Sequence, residues 1–218
     1  MGKALNGIGL TGLALVVAVF LYGGKGWYDA VQLADDFNRK ADQLVSDGRG
    51  VESLTSQQLE TLIKVQDPGF YDHDGIDFSS KGAGITTLTQ SLAKRLGFND
   101  YTPGIGKIRQ SGFALGLDSV LSKHQQVALF LDTAEMGKGP DGWITGFHNA
   151  ADVIYQKPVA QLSENEFNSL VAVLIAPSRL KLSAPDAALN ERVARITKLA
   201  HEKCEPNNFN DVWLEGCA

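Results

Sequence analysis

The sequence predicts a mainly α-helical domain that follows one N-terminal transmembrane helix. Residues Ala4 to Tyr22 carry no charge, and at 1.5 Å per residue this run is long enough to cross a bilayer core of about 30 Å. Apolar side chains recur at helical spacing from Tyr28 to Ser46. Ser163 and Glu166 have the spacing of a capping box, which starts a helix. A chain of 218 residues has room for one such domain and an anchor.

These patterns divide the chain into an anchor over residues 1–26, a domain over 27–203 and a tail over 204–218. The aromatic pair Trp27 and Tyr28 follows the uncharged run at the depth of a membrane interface. A cleaved secretory signal is the alternative, but the run is long for a signal peptide and no Ala-x-Ala site follows it. We therefore expect an uncleaved anchor.

Composition and cysteine usage narrow the functional class. A net charge of −5 argues against a nucleic-acid-binding protein, which would have a basic face. Cys204 and Cys217 are the only cysteines, and in an oxidising compartment an even count predicts a disulfide bond. Two free thiols are the alternative. Cysteine and histidine residues do not have the spacing of a zinc site, so we expect no bound metal.

Further helices are predicted on either side of the centre of the chain. A helix over 57–65 would deliver Gln66 at its C-terminal end, and another is predicted over 107–123. Within the latter, Gly112 and Gly116 are one turn apart and lower helix propensity by roughly 1 kcal/mol each. Such a pair indicates close packing against a neighbouring element.

The stretch from Gln66 to Lys94 is the most informative part of the sequence. A turn, a loop and a helix start follow one another, which is a common place for a functional site. Thr86 and Thr87 stand at the predicted helix N-terminus, where free N–H groups and the helix dipole favour an anion. Lys94 is one to two turns away on the same helix. The alternative is a glycine- and threonine-rich loop that caps an ordinary helix.

Two motifs in this stretch resemble signatures of the family 51 peptidoglycan glycosyltransferases. The segment QDPGFYDHDGID is similar to the first signature, and GITTLTQSLAK is similar to the second. The helix that begins KIRQ resembles the third signature, and HQQVALFLDTAEMGKG resembles the fourth. The resemblance is closest to the monofunctional biosynthetic enzymes, and it implies a lysozyme-like helical glycosyltransferase domain.

The resemblance also implies which residues form the site. Gln66 and Gln110 occupy the positions of the two catalytic glutamates, and an amide cannot accept a proton as a carboxylate does. Asp67 is the only nearby carboxylate that could replace the base, although a capping role suits it better. The residues implied at the substrate are Asp67, Phe70, Thr86, Thr87, Gln90, Lys94, Lys107 and Arg109.

Other departures from the family pattern bear on the origin of the two glutamines. Gly106 replaces the arginine of the third signature, and Asp132 stands where asparagine is usual. The segment FSSKGA, residues 78–83, is much shorter than the mobile region that family members carry there. A substrate-trapping substitution would explain the glutamines alone, so the additional departures favour a naturally divergent member.

In this family, the 4-hydroxyl of one sugar attacks the anomeric carbon of a growing chain, and undecaprenyl pyrophosphate leaves. The resemblance therefore implies that lipid II or nascent glycan is the ligand. It further implies membrane lipid and a cell-wall synthesis protein as partners, and it allows a divalent cation as cofactor. The domain would lie outside the cytoplasmic membrane in the periplasm, held by a single pass.

We expect a catalytically impaired homologue, a pseudoenzyme, because both catalytic positions hold amides. An active divergent polymerase, or a trapping mutant of one, is the first alternative. A lytic glycan-cleaving enzyme is the second, for which Glu135 is a weak general-acid candidate.

Overall fold

The computed structural model describes the backbone of residues 2–218 and the side chains of residues 12–218. The protein is mainly helical, as the sequence predicts. The helices are α1 (Gly2–Gln32), α2 (Ala34–Ser46), α3 (Ser56–Gln66), α4 (Leu88–Gly97), α5 (Gly106–Val120), α6 (Lys123–Thr133), α7 (Phe147–Ala150), α8 (Glu164–Val173) and α9 (Ala187–Ala200). A hairpin of strands β1 (Glu135–Gly139) and β2 (Gly142–Thr145) follows α6.

The expected anchor over residues 1–26 falls partly outside the described residues, because the side chains of residues 1–11 are not described. Among the residues that are described, no helix is long and apolar enough to cross a membrane. That finding concerns only the C-terminal part of the expected anchor.

The last turns of α1 pack closely along α5. A Cβ atom added to Gly112 would lie 1.8 Å from the carbonyl oxygen of Gly23, and one added to Gly26 would lie 2.2 Å from the carbonyl oxygen of Arg109. Gly116 meets the backbone of Trp27 in the same way. The predicted close packing at Gly112 and Gly116 is therefore confirmed. Because Gly23 and Gly26 pack on α5, the expected boundary after residue 26 divides residues that belong to this contact.

Two hydrophobic clusters fill the domain, and α4 lies between them. Leu88 belongs to the cluster formed with α3, α8 and α9, whereas Leu92, one turn later, belongs to the cluster formed with α2 and α5. The largest fully buried side chains are Phe70, Phe113, Phe130, Phe147 and Phe167. One face of α4 remains open between the clusters and forms the floor of a groove.

Capping boxes start α3 and α4, two of the helices that carry the predicted site. At α3, the Thr55 hydroxyl accepts the N–H of Gln58 and the Gln58 side chain accepts the N–H of Thr55. Thr87 and Gln90 form the same pair at α4. The predicted capping box of Ser163 at α8 is confirmed. These contacts satisfy N–H groups that a helix start leaves unpaired.

The C-terminal tail is fixed to the domain. The predicted bond between Cys204 and Cys217 is present and closes the tail into a loop. Inside this loop, the Asp211 carboxylate accepts N–H groups of the tail backbone. The tail also pairs with the shortened loop, because Gly82 and Gly84 donate their N–H groups to tail carbonyl oxygens at 3.0 and 2.9 Å. The tail therefore holds one wall of the groove.

Candidate functional site

A groove along α4 contains most of the predicted site residues. It consists of adjoining cavities that share Ser91 as a lining residue. The first, which we call the Gln66 cavity, has a volume of about 340 Å³. It lies between Gln66, the loop over 82–86, Arg192 of α9 and Val212 of the tail.

Two further cavities extend the groove. The hairpin cavity has a volume of about 760 Å³, is also lined by Gln66, and reaches Glu135 on β1. The lysine cavity has a volume of about 540 Å³ and lies between Lys94, Lys107 and Gln110. The structure therefore brings the two predicted catalytic positions to the walls of one groove.

Gln66 is the last residue of α3, as the sequence predicts. Its position at the end of a capped, buried helix places it where the Gln66 cavity and the hairpin cavity meet. The side chain is partly exposed. An amide at this point can donate and accept hydrogen bonds to a ligand, but it cannot act as a general base at neutral pH.

Gln110 is held in a specific orientation by its neighbours. The side chain is only 2% exposed. Its Oε1 accepts a hydrogen bond from the Tyr101 hydroxyl at 2.8 Å, and its Nε2 donates to the backbone carbonyl of Gln90 at 2.7 Å. Burial raises the pKa of Tyr101, which keeps that hydroxyl protonated as a donor. A glutamate at position 110 would lose the donor to the Gln90 carbonyl, so the amide suits this environment.

Lys107 and Lys94 form a cationic wall of the lysine cavity. The Lys107 ammonium donates to the Thr86 hydroxyl at 2.8 Å and lies 3.4 Å from Oε1 of Gln90, so both of these partners are neutral. Burial lowers the pKa of Lys107 to about 8, and the side chain is therefore mostly charged at pH 7. The Lys94 ammonium lies 5.5 Å from the centre of the Tyr101 ring. Both charges are available to an anionic ligand.

Asp67 is structural in this conformation. It has no exposed surface. Its Oδ2 accepts the N–H of Leu88 at the start of α4 at 2.9 Å, and its Oδ1 lies 2.9 Å from Nε2 of His73. Burial raises the pKa of the Asp67 carboxyl, and the contact with His73 opposes that shift. The structure does not bring Asp67 to the groove, which agrees with a capping role.

Three more of the residues implied at the substrate are absent from the groove walls. Phe70 is fully buried in the core. Arg109 is directed towards α1, where its Nη2 lies 2.7 Å from the Asp29 carboxylate. Gln90 is buried in the α4 capping box. It contacts two residues of the groove wall: its Oε1 lies near the Lys107 ammonium, and its backbone carbonyl accepts a hydrogen bond from Gln110. In contrast, Thr86 and Thr87 both line the Gln66 cavity.

The structure adds residues that the sequence analysis missed. Ser91 lies four residues after Thr87 and three before Lys94, so helical spacing places all of them on one face of α4 and could have identified it. Tyr101 lines two cavities and holds Gln110. Arg192 comes from α9, far away in sequence, and no local pattern identifies it.

The donor set around Gln66 does not fit a divalent cation. Among the residues that the structure describes, no group of three or more histidine, cysteine or acidic side chains could hold a metal ion. The acidic residues on the groove walls are Asp132 and Glu135, and Asp132 is already paired with Lys40 and Arg49 at 3.0 and 3.2 Å.

Comparisons with known proteins identify the family of this chain. The family model described as Transglycosylase matches residues 43–201. A biosynthetic peptidoglycan transglycosylase of Citrobacter koseri is 28% identical over 214 residues, which cover 85% of this chain and 86% of that protein. A protein of the same name from Escherichia coli O81 is 29% identical over 170 residues, which cover 72% of this chain and 69% of that protein. The matched segment contains α3 to α9 and the groove apart from Lys40 of α2 and Val212 of the C-terminal tail, so this chain belongs to the transglycosylase family.

Proposed function

We propose that this protein is a membrane-anchored, lysozyme-like peptidoglycan glycosyltransferase homologue that binds lipid II or nascent glycan and polymerises it very slowly or not at all. The observation that carries the proposal is a groove with two lysines on one wall and amides at both positions where the family resemblance implies catalytic glutamates. Such a groove can hold an anionic glycan ligand but lacks the base for transfer.

Binding is supported by the charge of the groove wall. The partners of Lys107 are neutral oxygens, so its charge can neutralise a pyrophosphate. Lys94 lines the same cavity. Positive charge near a leaving pyrophosphate is the electrostatic half of the reaction that the family resemblance implies.

Impaired turnover is supported by the chemistry of Gln66 and Gln110. Losing a general base costs about 10²–10⁴-fold in rate. The hydrogen bond from Gln110 to the Gln90 carbonyl requires an amide, so the surroundings of position 110 match the residue that is present. This match favours natural divergence over a substitution in an otherwise unaltered enzyme.

Location outside the cytoplasmic membrane is part of the proposal. The uncharged run Ala4–Tyr22 supports a single-pass anchor. The disulfide bond between Cys204 and Cys217 supports an oxidising compartment such as the periplasm, where such bonds persist. Flotation of the full chain with lipid vesicles, and its loss when residues 1–21 are removed, tests the anchor.

A titration with lipid II tests the binding half of the proposal. We expect the unaltered chain to bind lipid II, and the double variant Lys94→Ala with Lys107→Ala to bind at least about tenfold more weakly, since each lost charge-assisted contact is worth about 1.5–3 kcal/mol. Lys64→Ala is the matched control, because Lys64 pairs with Glu60 and Glu202 outside the groove. Unchanged binding by the double variant would show that the groove is misassigned and would favour a scaffold for a cell-wall synthesis protein.

A lytic glycan-cleaving activity is a second candidate, because Glu135 lines the hairpin cavity together with Gln66. Glycoside hydrolysis requires a carboxylic acid at the glycosidic bond, and Glu135 is the carboxylate on that wall without an ion-pair partner among the described residues. Release of soluble muropeptides from purified cell-wall sacculi, lost in Glu135→Gln, would support this activity. No release by the unaltered chain would exclude it.

A further inference from the structure

Arg192 is a buried arginine that the proposed chemistry does not use. It projects from α9 beneath the C-terminal tail and is only 3% exposed. Its guanidinium lies 5.7 Å from the centre of the Trp213 ring. Burial lowers the pKa of Arg192 to about 10, so the side chain remains a cation at neutral pH.

Two donor atoms of Arg192 have no hydrogen-bond partner among the described residues. They are Nε and Nη1, and both are buried. Asp211 attracts it electrostatically, but the Asp211 oxygens accept the N–H groups of Asn207, Glu215 and Gly216 at 2.7 to 2.9 Å. A buried charge without a hydrogen-bonded partner costs several kcal/mol. A ligand oxyanion would remove that cost.

The cavity beside Arg192 has the donors that an oxyanion needs. Arg192 lines the Gln66 cavity, whose walls, among the described residues, include no carboxylate. The Thr86 hydroxyl accepts from Lys107 at 2.8 Å, and the Ser91 hydroxyl accepts from Arg95 at 2.7 Å. Neither hydroxyl donates a hydrogen bond within the part of the chain that the structure describes, so both hydroxyl protons are free to donate to a ligand.

Arg192 also lines a smaller cavity, of about 280 Å³, beside Trp213. The other charged residues of that cavity are Arg179, Arg195, Glu191 and Glu215, and Glu191 is paired with Arg195. Both cavities are therefore cationic, but Glu215 remains on the wall of the smaller one and would compete with an anion for the arginines. The Gln66 cavity has no carboxylate among its described lining residues, which favours an anion there.

We propose that Arg192, with the hydroxyls of Thr86 and Ser91, forms an oxyanion subsite in the Gln66 cavity that adjoins the Lys94 and Lys107 wall at Thr86 and Ser91. The oxyanion is a phosphate or a carboxylate of a ligand lying across Gln66. The subsite is inferred from the contacts of the free protein. Only the identity of the molecule that carries the oxyanion depends on the proposed function.

Two anion sites on either side of Ser91 would hold a ligand at two points. The lysines would take one pyrophosphate, and Arg192 would take a second anionic group, either a pyrophosphate of another lipid-linked unit or a carboxylate of the peptidoglycan. A planar guanidinium suits either group, since its parallel N–H donors match two oxygens. The choice between phosphate and carboxylate is a matter for experiment.

Side-chain NMR of Arg192 tests this subsite without lipid II. The full-length chain in detergent micelles is labelled with ¹⁵N, and the arginine Nε–Hε resonances are followed during titration with inorganic phosphate, pyrophosphate or N-acetylmuramic acid. N-acetylglucosamine, which has no carboxylate, is the uncharged control. We expect the Arg192 resonance, assigned by its loss in Arg192→Lys, to shift and saturate with at least one anion and to ignore the control sugar.

Three variants sharpen the test. Arg192→Lys keeps the charge but removes the planar guanidinium with its parallel N–H donors. The anion should therefore bind about tenfold more weakly, as measured by the shifts of the backbone amides in the loop over 82–86. Val212→Phe fills the Gln66 cavity from the tail and leaves Arg192 in place, so binding should be lost even if Arg192→Lys does not fold. Arg179→Lys is the matched control, because Arg179 also contacts Trp213 but does not line the Gln66 cavity, and it should bind like the unaltered chain.

An Arg192 resonance that no anion shifts would overturn the subsite. So would binding that survives Val212→Phe, or that Arg179→Lys weakens as much as Arg192→Lys. The proposed function fails separately: anion binding at Arg192 together with no affinity for lipid II would leave the subsite standing and remove lipid II as the ligand.

Discussion

Gly112→Ala is expected to destabilise the protein through the contact between α1 and α5. The added Cβ would lie 1.8 Å from the carbonyl oxygen of Gly23 and 2.7 Å from its carbonyl carbon. Both are backbone atoms of a helix, so no side chain can move aside to make room. The two helices must separate, which also loosens the close approaches at Gly26 and Gly116.

The magnitude follows from two opposing effects. Alanine is favoured over glycine in a helix interior by roughly 1 kcal/mol. Overpacking of a close contact costs about 1–3 kcal/mol, and a clash with rigid backbone belongs at the upper end of that range. We expect a net loss of about 2 kcal/mol in the free energy of unfolding, which lowers the melting temperature by roughly 4–8 °C for a chain of this size.

Thermal unfolding of full-length protein in detergent, followed by circular dichroism, measures this loss. Gly24→Ala is the matched control, because Gly24 lies on α1 beside the contact residue Gly23 and a Cβ added there has no neighbour within 4 Å. The control should be neutral or slightly stabilising. If Gly112→Ala melted at or above the temperature of Gly24→Ala, the described packing of α1 on α5 would be wrong.

Further predictions concern pH, the tail and the anchor boundary. Because burial lowers the pKa of Lys107 to about 8, affinity for a pyrophosphate ligand should fall as pH rises from 7 to 9, and Lys107→Arg should remove this dependence in titrations at both pH values. Replacing Cys204 and Cys217 with serine should lower the free energy of unfolding by about 3 kcal/mol, measured by denaturant titration, since the bond closes a short loop; an equally stable variant would contradict a structural role for the bond. Removing residues 1–21 should leave the melting temperature nearly unchanged. Removing residues 1–26 should lower the melting temperature, because this truncation also deletes Gly23 and Gly26, which pack on α5. Equal melting temperatures of the two truncated proteins would contradict the packing of α1 on α5.

Local features of the fold could be predicted from the sequence. The capping box at Ser163 and the end of α3 at Gln66 depend on residues close together in the chain, and both are confirmed. The glycine pair at 112 and 116 predicted a close approach, because glycine in a helix interior is otherwise unfavourable. The partner in that approach, α1, was not predictable, since a sequence pattern does not identify the element that packs against it.

Long-range contacts explain what the sequence did not predict. Asp67 adjoins Gln66 in sequence but points into the core, because the start of α4, more than twenty residues away, requires its carboxylate as a cap. Arg192 of α9 lines the groove together with the loop at 82–84, which the tail holds in place through hydrogen bonds to Gly82 and Gly84. The expected helix from Tyr28 to Ser46 is interrupted at Leu33, where α1 ends and α2 begins.

The central claim is that the groove binds lipid II while its amides prevent polymerisation. The most direct measurement incubates lipid II with the unaltered chain, and with Gln66→Glu combined with Gln110→Glu, and resolves the glycan products by gel electrophoresis. We predict no detectable glycan from the unaltered chain. The double variant should make some glycan but remain slow, because Gly106 and the shortened loop are unchanged and the carboxylate at position 110 loses its donor to the Gln90 carbonyl. Long glycan chains produced at a high rate by the unaltered chain would contradict the account.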